Sequence, residues 1–188
     1  MSTLDTPPVT DPSTVSFTET AIRYGLIGGL ITIIYALLGI VTGFTNPSSG
    51  IAISIIAGII SFVIFIVVIV KGVGQHRDKE LGGLISFGRA FLVGLVIALI
   101  MALLGKVFNY IYFNYIDPEY LANAVEGIRE MYESMGMDES MIDASMEAAE
   151  EGLNQQKTLL GGLPMIAGMS AVVSAIIALI MKKSPSID

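Results

Sequence analysis

The chain contains no cysteine. That excludes disulfides, thiolate nucleophiles and thiolate-held zinc, and it is compatible with either redox compartment. Histidine occurs once, at His76, with no second histidine or cysteine beside it to share a metal; it reads as a loop residue. Positive charge is scarce, with 10 Lys and Arg against 17 Asp and Glu, a net charge of -7 and a pI near 4.6. Phosphate recognition depends on a basic surface, so nucleic acid is excluded as a partner. Charged residues make up only 14% of the chain, and no Asp or Glu lies deep in a long apolar run, which counts against a proton relay. Nucleotide loops are absent: Gly72-Val73-Gly74 continues as Gln75-His76-Arg77 rather than in a phosphate-binding pattern. Nucleophile elbows and zinc-protease motifs are absent too. With no catalytic, cofactor-binding or metal-binding residue to name, the expectation is a protein that is not an enzyme and takes no cofactor.

What the sequence does have is apolar length. Of 188 residues, 53% are hydrophobic, and the mean hydropathy is +0.74, beyond the range of soluble domains. The apolar residues fall in runs that satisfy the ~20 helical residues needed to cross ~30 Å of hydrocarbon. The expected fold class is an all-α membrane protein with four transmembrane helices and an extracytoplasmic amphipathic helical hairpin between the third and fourth.

The first span runs from about Ala21 to Phe44 and ends at the turn-forming Thr45-Asn46-Pro47-Ser48-Ser49-Gly50. A second span from about Gly50 to Val70 is apolar all round and should face lipid over much of its surface. Lys71 to Ile85 reads as a polar loop, with Ser86 as N-cap of a third span from Phe87 past Lys106. Its far end, Phe108, Tyr110, Tyr112, Phe113 and Tyr115, reads as an aromatic belt at headgroup level. The fourth span runs from about Leu159 to Met181, with Pro164 near its start.

Between the last two spans, Asp117-Pro118 reads as an N-cap and first helical residue. Leu121, Val125, Ile128, Tyr132 and Met135 then form one apolar stripe, and Ile142, Met146, Ala149 and Leu153 form a second after Gly136. The domain plan is therefore a disordered cytoplasmic tail at 1–20, with three prolines and no basic n-region of a signal peptide. Spans one to three occupy 21–116, the acidic hairpin 117–157, the fourth span 158–181 and a second cytoplasmic tail 182–188. Arg23, Lys71, Arg77, Lys79, Arg89, Lys182 and Lys183 lie at one side of the spans, and only Lys106, Arg129 and Lys157 toward the other. The side rich in Lys and Arg is assigned to the cytoplasm, which puts both termini there.

Gly83-Leu84-Ile85-Ser86-Phe87-Gly88-Arg89-Ala90-Phe91 and Tyr112-Phe113-Asn114-Tyr115-Ile116-Asp117-Pro118 resemble an uncharacterised bacterial membrane family known as a domain of unknown function. The resemblance covers Ala21 to Met181. It implies a bacterial inner membrane and the same four spans with a long insertion before the last, and it carries no reaction, ligand or catalytic residue.

Candidate contacts follow from side-chain chemistry. Lys106 has Asn109 and Tyr110 on the same helical side, a grouping able to meet an anionic lipid or substrate, against the simpler reading that the lysine snorkels to water. Val125, Ile128, Tyr132, Ile142 and Met146 form a candidate partner-contact face. Glu139, Asp143, Glu147 and Glu150 form an acidic stripe, read as a solvated face. Small residues recur at Gly25 and Gly29, Ser54 and Gly58, Gly94, Ala98 and Ala102, and Ala167, Ala171 and Ala175, where helices can approach closely. Thr32, Tyr35, Ser61, Ser170 and Ser174 are expected to bond between helices. These features favour a noncatalytic membrane subunit or scaffold, bound to the lipid bilayer and to a second copy or another membrane protein. A small oligomeric transporter or channel is the alternative, and an intramembrane enzyme ranks third.

Overall fold

The computed structural model describes residues 15–45 and 49–183. The expectations for most of the N-terminal tail, for Asn46-Pro47-Ser48 and for the last five residues fall outside them. Among the described residues, six α-helices follow in order: α1 (Thr18–Thr42), α2 (Ile51–Gln75), α3 (Phe87–Ile111), α4 (Tyr120–Ser134), α5 (Glu139–Gln156) and α6 (Leu163–Met181). α2 runs on through a π-helical turn at His76–Glu80, and α3 through another at Tyr112–Ile116. Each continuous helix of 30 residues is then about 45 Å long and overhangs a hydrocarbon layer of ~30 Å.

The boundaries correct the sequence reading at four places. Lys71–Glu80 is helical, because its charged residues form the overhanging end of α2 rather than a loop. Residues 15–17 are ordered against the bundle, and α1 begins at Thr18, inside the expected tail. α4 begins at Tyr120, with Asp117 and Pro118 in the preceding turn and no side-chain cap. α6 begins at Leu163, because Gly162 takes a left-handed conformation (φ 71°) and places Pro164 in the first turn, where its missing donor costs least. The Ser86 N-cap is present, its hydroxyl accepting from the Arg89 amide at 3.3 Å.

α3 is the hub: α1 and α6 both pack along it, and α2 packs against α1, α3 and α6. Glycine sets the distance of α1 from both neighbours: a β-carbon on Gly25 would lie 2.7 Å from Ile100 of α3, and one on Gly28 would lie 2.6 Å from Val68 of α2 and 2.7 Å from Met101 of α3. The other small-residue pairs divide. Gly94 and Ala98 face the core, whereas Gly58 meets open space, and α6 buries Ser170, Val173, Ser174, Ile177 and Ala178 rather than an Ala167-Ala171-Ala175 line. Ser170 and Ser174 beside that line are as easily packed as Ala, so spacing alone did not select the buried face.

Packing is uneven along the bundle axis. The main core, from Ala21 through Val68, Ile69, Val93 and Ile97 to Ile177, collects at the end where α1 starts and α6 stops. Toward the other end, Leu30, Leu38, Val41, Ile55, Ile56 and Ile59 are exposed side chains suited to lipid. The hairpin of α4 and α5 sits at that second end. Tyr112 and Phe113 are buried there, against Tyr120 in α4, with ring centroids 5.9 and 5.4 Å away. The expected aromatic belt is thus split: part of it turns inward to dock the hairpin, and Tyr115 remains 71% exposed.

Candidate functional site

Two polar clusters lie at opposite ends of the bundle. At the hairpin end, Lys106 is only 4% exposed, and its Nζ donates to the carbonyl of Gln155 at 2.7 Å. Gln155 stands in the last turn of α5, where backbone carbonyls lack partners within the helix and carry the negative end of the helix dipole. A buried ammonium therefore serves as a C-cap supplied by a different helix. Asn109 adds a bond from Nδ2 to Gln156 Oε1 at 3.0 Å, and Asn114 donates to the Lys157 carbonyl at 3.0 Å. The snorkelling expectation for Lys106 is overturned, because α5 reaches the ammonium before water does. Tyr110 does not join it; its ring meets Tyr115 edge-on at 6.0 Å.

The candidate partner-contact residues are not one free face. Ile142 and Met146 are buried at 4% and 3% exposure, together with Leu121, Ala124 and Gly127 of α4. Val125 lines a small cavity with Leu121, Leu153 and Asn154, while Ile128 and Met131 overhang a groove of about 480 Å³ between α1 and α2. Tyr132 is half-buried and Met135 exposed. The acidic stripe Glu139, Asp143, Glu147 and Glu150 is exposed, with Asp143 accepting from Arg129 at 3.1 Å.

That groove between α1 and α2 is lined by Thr32, Tyr35, Thr45, Ser54 and Ser61 among small apolar residues. Tyr35 donates across it to the Ala57 carbonyl at 2.8 Å, as expected of an interhelical group. Thr32 instead bonds back to Gly29 of its own helix. Ser174 is fully buried and, among the described residues, its hydroxyl has no hydrogen-bond partner.

The second cluster, at the opposite end, was not anticipated. His76 is fully buried. Its Nδ1 lies 2.6 Å from Glu80 Oε2, and its Nε2 lies 3.0 Å from Arg89 Nε. Arginine can only donate, so Nε2 must accept, and the ring is a neutral imidazole carrying its proton on Nδ1 toward the carboxylate. Glu80 also accepts from the Thr20 hydroxyl, and Arg89 donates onward to the Val15 carbonyl while its guanidinium lies 5.2 Å from the Phe17 ring centre. One network joins α1, the end of α2 and the start of α3. Beside it, Ile85 and Lys183 exchange backbone bonds of 3.0 and 2.9 Å, pinning the end of α6 to the loop before α3. A signal existed in the four-residue spacing of His76 and Glu80, but reading the segment as a loop concealed it.

Chemically, both His76 nitrogens are engaged, Nδ1–H with Glu80 and the single free lone pair on Nε2 with Arg89. Lys106 is likewise committed to a carbonyl. Both clusters join elements of the fold.

Four helices long and apolar enough to cross a membrane, packed around α3, define a multi-pass helical membrane protein. Within that class, residues 23–183 match the family described as "Protein of unknown function (DUF4199)", and the chain belongs to it. No curated protein and no solved structure matches the chain.

Proposed function

We propose that this protein is a noncatalytic membrane subunit or scaffold of a bacterial inner membrane, with both termini in the cytoplasm and the α4–α5 hairpin held outside as its contact element. The carrying observation is the capping of α5 by Lys106 of α3. A hairpin that merely linked two spans would not need a buried cation from the bundle to hold its last turn. Held in that way, it presents the acidic stripe of α5 at a fixed height and angle, a surface suited to a basic or polar partner. Arg, Lys and aromatic groups on such a partner would complement Glu139, Asp143, Glu147 and Glu150. The seven Lys and Arg on the far side support the assigned orientation.

Transport at a subunit interface is a second reading, favoured by the hydroxyl-lined groove between α1 and α2. The two readings separate by experiment. Because the chain has no cysteine, single cysteines at Ser140 and Lys182 report topology without background. Ser140→Cys should react with an impermeant thiol reagent in intact spheroplasts, and Lys182→Cys only after lysis. A photocrosslinker at Glu147 should then capture a defined protein, lost when the stripe is neutralised. Capture only from the α1–α2 groove, with none at Glu147, would favour transport.

A further inference from the structure

Two cavities at the terminal end of the bundle adjoin, with shared wall residues between them, and together form a groove. The first, of about 350 Å³, lies between α2 and α6 and is walled only by apolar side chains, among them Phe62, Ile66, Val70, Val173, Ile177 and Ile180. The second, of about 470 Å³, lies just past it and is lined by Tyr24, Lys71, Gln75, Arg77, Asp78 and Lys79. Val70 and Met181 belong to both. From Phe62 to Val70 the apolar part runs about 12 Å along the helix, most of the ~15 Å depth of one leaflet. The groove therefore passes from hydrocarbon to cation in the order in which a membrane lipid passes from chain to headgroup.

We infer that this groove is a binding site for one anionic glycerophospholipid, with its phosphate at Lys71 and Lys79 and an acyl chain between α2 and α6. Charge selects the headgroup. Arg77 is bonded to Asp78 at 2.7 and 3.1 Å, so that pair is internally compensated. Lys71 and Lys79 are exposed, and among the described residues neither forms an ion pair. Glu80, the next carboxylate along, is turned to His76 and Thr20 and does not line the groove. The basin thus keeps two cationic charges and the Gln75 amide, which suit a phosphodiester better than a zwitterionic headgroup. A second copy of the chain fits less well, because a two-fold contact through this face would set the lysines of one copy against those of the other.

The chain lacks tryptophan, so Phe62→Trp, at a side chain 49% exposed, supplies a single indole in the apolar part of the groove. Leu103→Trp, at a side chain 52% exposed on α3, supplies a reference in bulk lipid. Each variant is placed in bilayers of equal phosphatidylglycerol and phosphatidylcholine, with acyl bromines on one lipid at a time to quench the indole. Brominated phosphatidylglycerol should be enriched about fivefold beside position 62 relative to position 103, the weight of one lysine at a charged surface. Adding Lys71→Gln and Lys79→Gln should abolish the enrichment. Equal quenching by both lipids at both positions, or enrichment that survives the lysine changes, would overturn the site. An indole at position 62 shielded from both lipids would also overturn it, showing that another protein surface fills the groove.

Discussion

The two ends of this bundle are held by different means. At the terminal end, three helices converge on a buried imidazole whose nitrogens are matched by a carboxylate and a guanidinium, beside the main apolar core. At the hairpin end, one ammonium, two asparagine amides and a few aromatic rings hold a two-helix appendage, and α1 and α2 leave a groove between them. A closed network makes each member depend on the others, because removing one strands the rest in low dielectric. A cation facing a neutral carbonyl strands less when it is removed. Damage at the terminal end should therefore be global, and damage at the hairpin end local.

The largest effect should follow His76→Leu, which strands Glu80 and Arg89 together. A loss of about 3 kcal/mol is expected, as for hydrogen bonds to charged groups, seen as a lower thermal midpoint for the whole bundle in detergent. An unchanged midpoint would erase the difference between the ends. Ile142→Asp comes next, placing a carboxylate where the side chain is 4% exposed; about 2–3 kcal/mol should be lost, but only from the hairpin. Limited proteolysis should cut α4 and α5 while the spans stay protected. Val125→Asp, at a half-buried position, should do the same more weakly.

Lys106→Met is smaller again. It removes the cap of α5 but leaves an apolar stem of similar length, so about 1–2 kcal/mol should be lost locally. Faster amide exchange over residues 150–157, with unchanged exchange in α1 and α6, is the expected pattern. Faster exchange throughout the bundle would show that the two ends are coupled. The smallest effect belongs to Asp143→Asn with Glu147→Gln. It breaks one exposed bond to Arg129 and should change stability by less than about 0.5 kcal/mol. A hairpin that unfolds in this variant would give the acidic stripe a structural role in place of the contact role proposed for it.

Much of this fold was legible before any coordinates. Four apolar runs, the end of α4 at Gly136 (φ 71°) and the Ser86 cap each follow from local chemistry within a few residues. The clusters were less legible. Lys106, Asn109 and Tyr110 were grouped by helical spacing, yet only the first two reach α5. Val125, Ile128, Tyr132, Ile142 and Met146 were grouped as apolar, yet they divide among the hairpin interior, a small cavity and the rim of a groove.

What the sequence by itself determined is the number of spans and the amphipathic pair between the last two. Length and hydropathy decide those, because every backbone group inside a bilayer must be satisfied within its own helix. Which faces meet was decided only by the tertiary structure. Lipid chains are as apolar as a protein core, so a run of Ile and Val carries no mark separating the side that packs from the side that faces lipid. The decisive polar pairs also lie far apart in the chain: His76 with Arg89 across 13 residues, Lys106 with Gln155 across 49 and Thr20 with Glu80 across 60. Contacts at those separations depend on how helices cross and where π-helical turns shift their faces, and local sequence periodicity does not encode either.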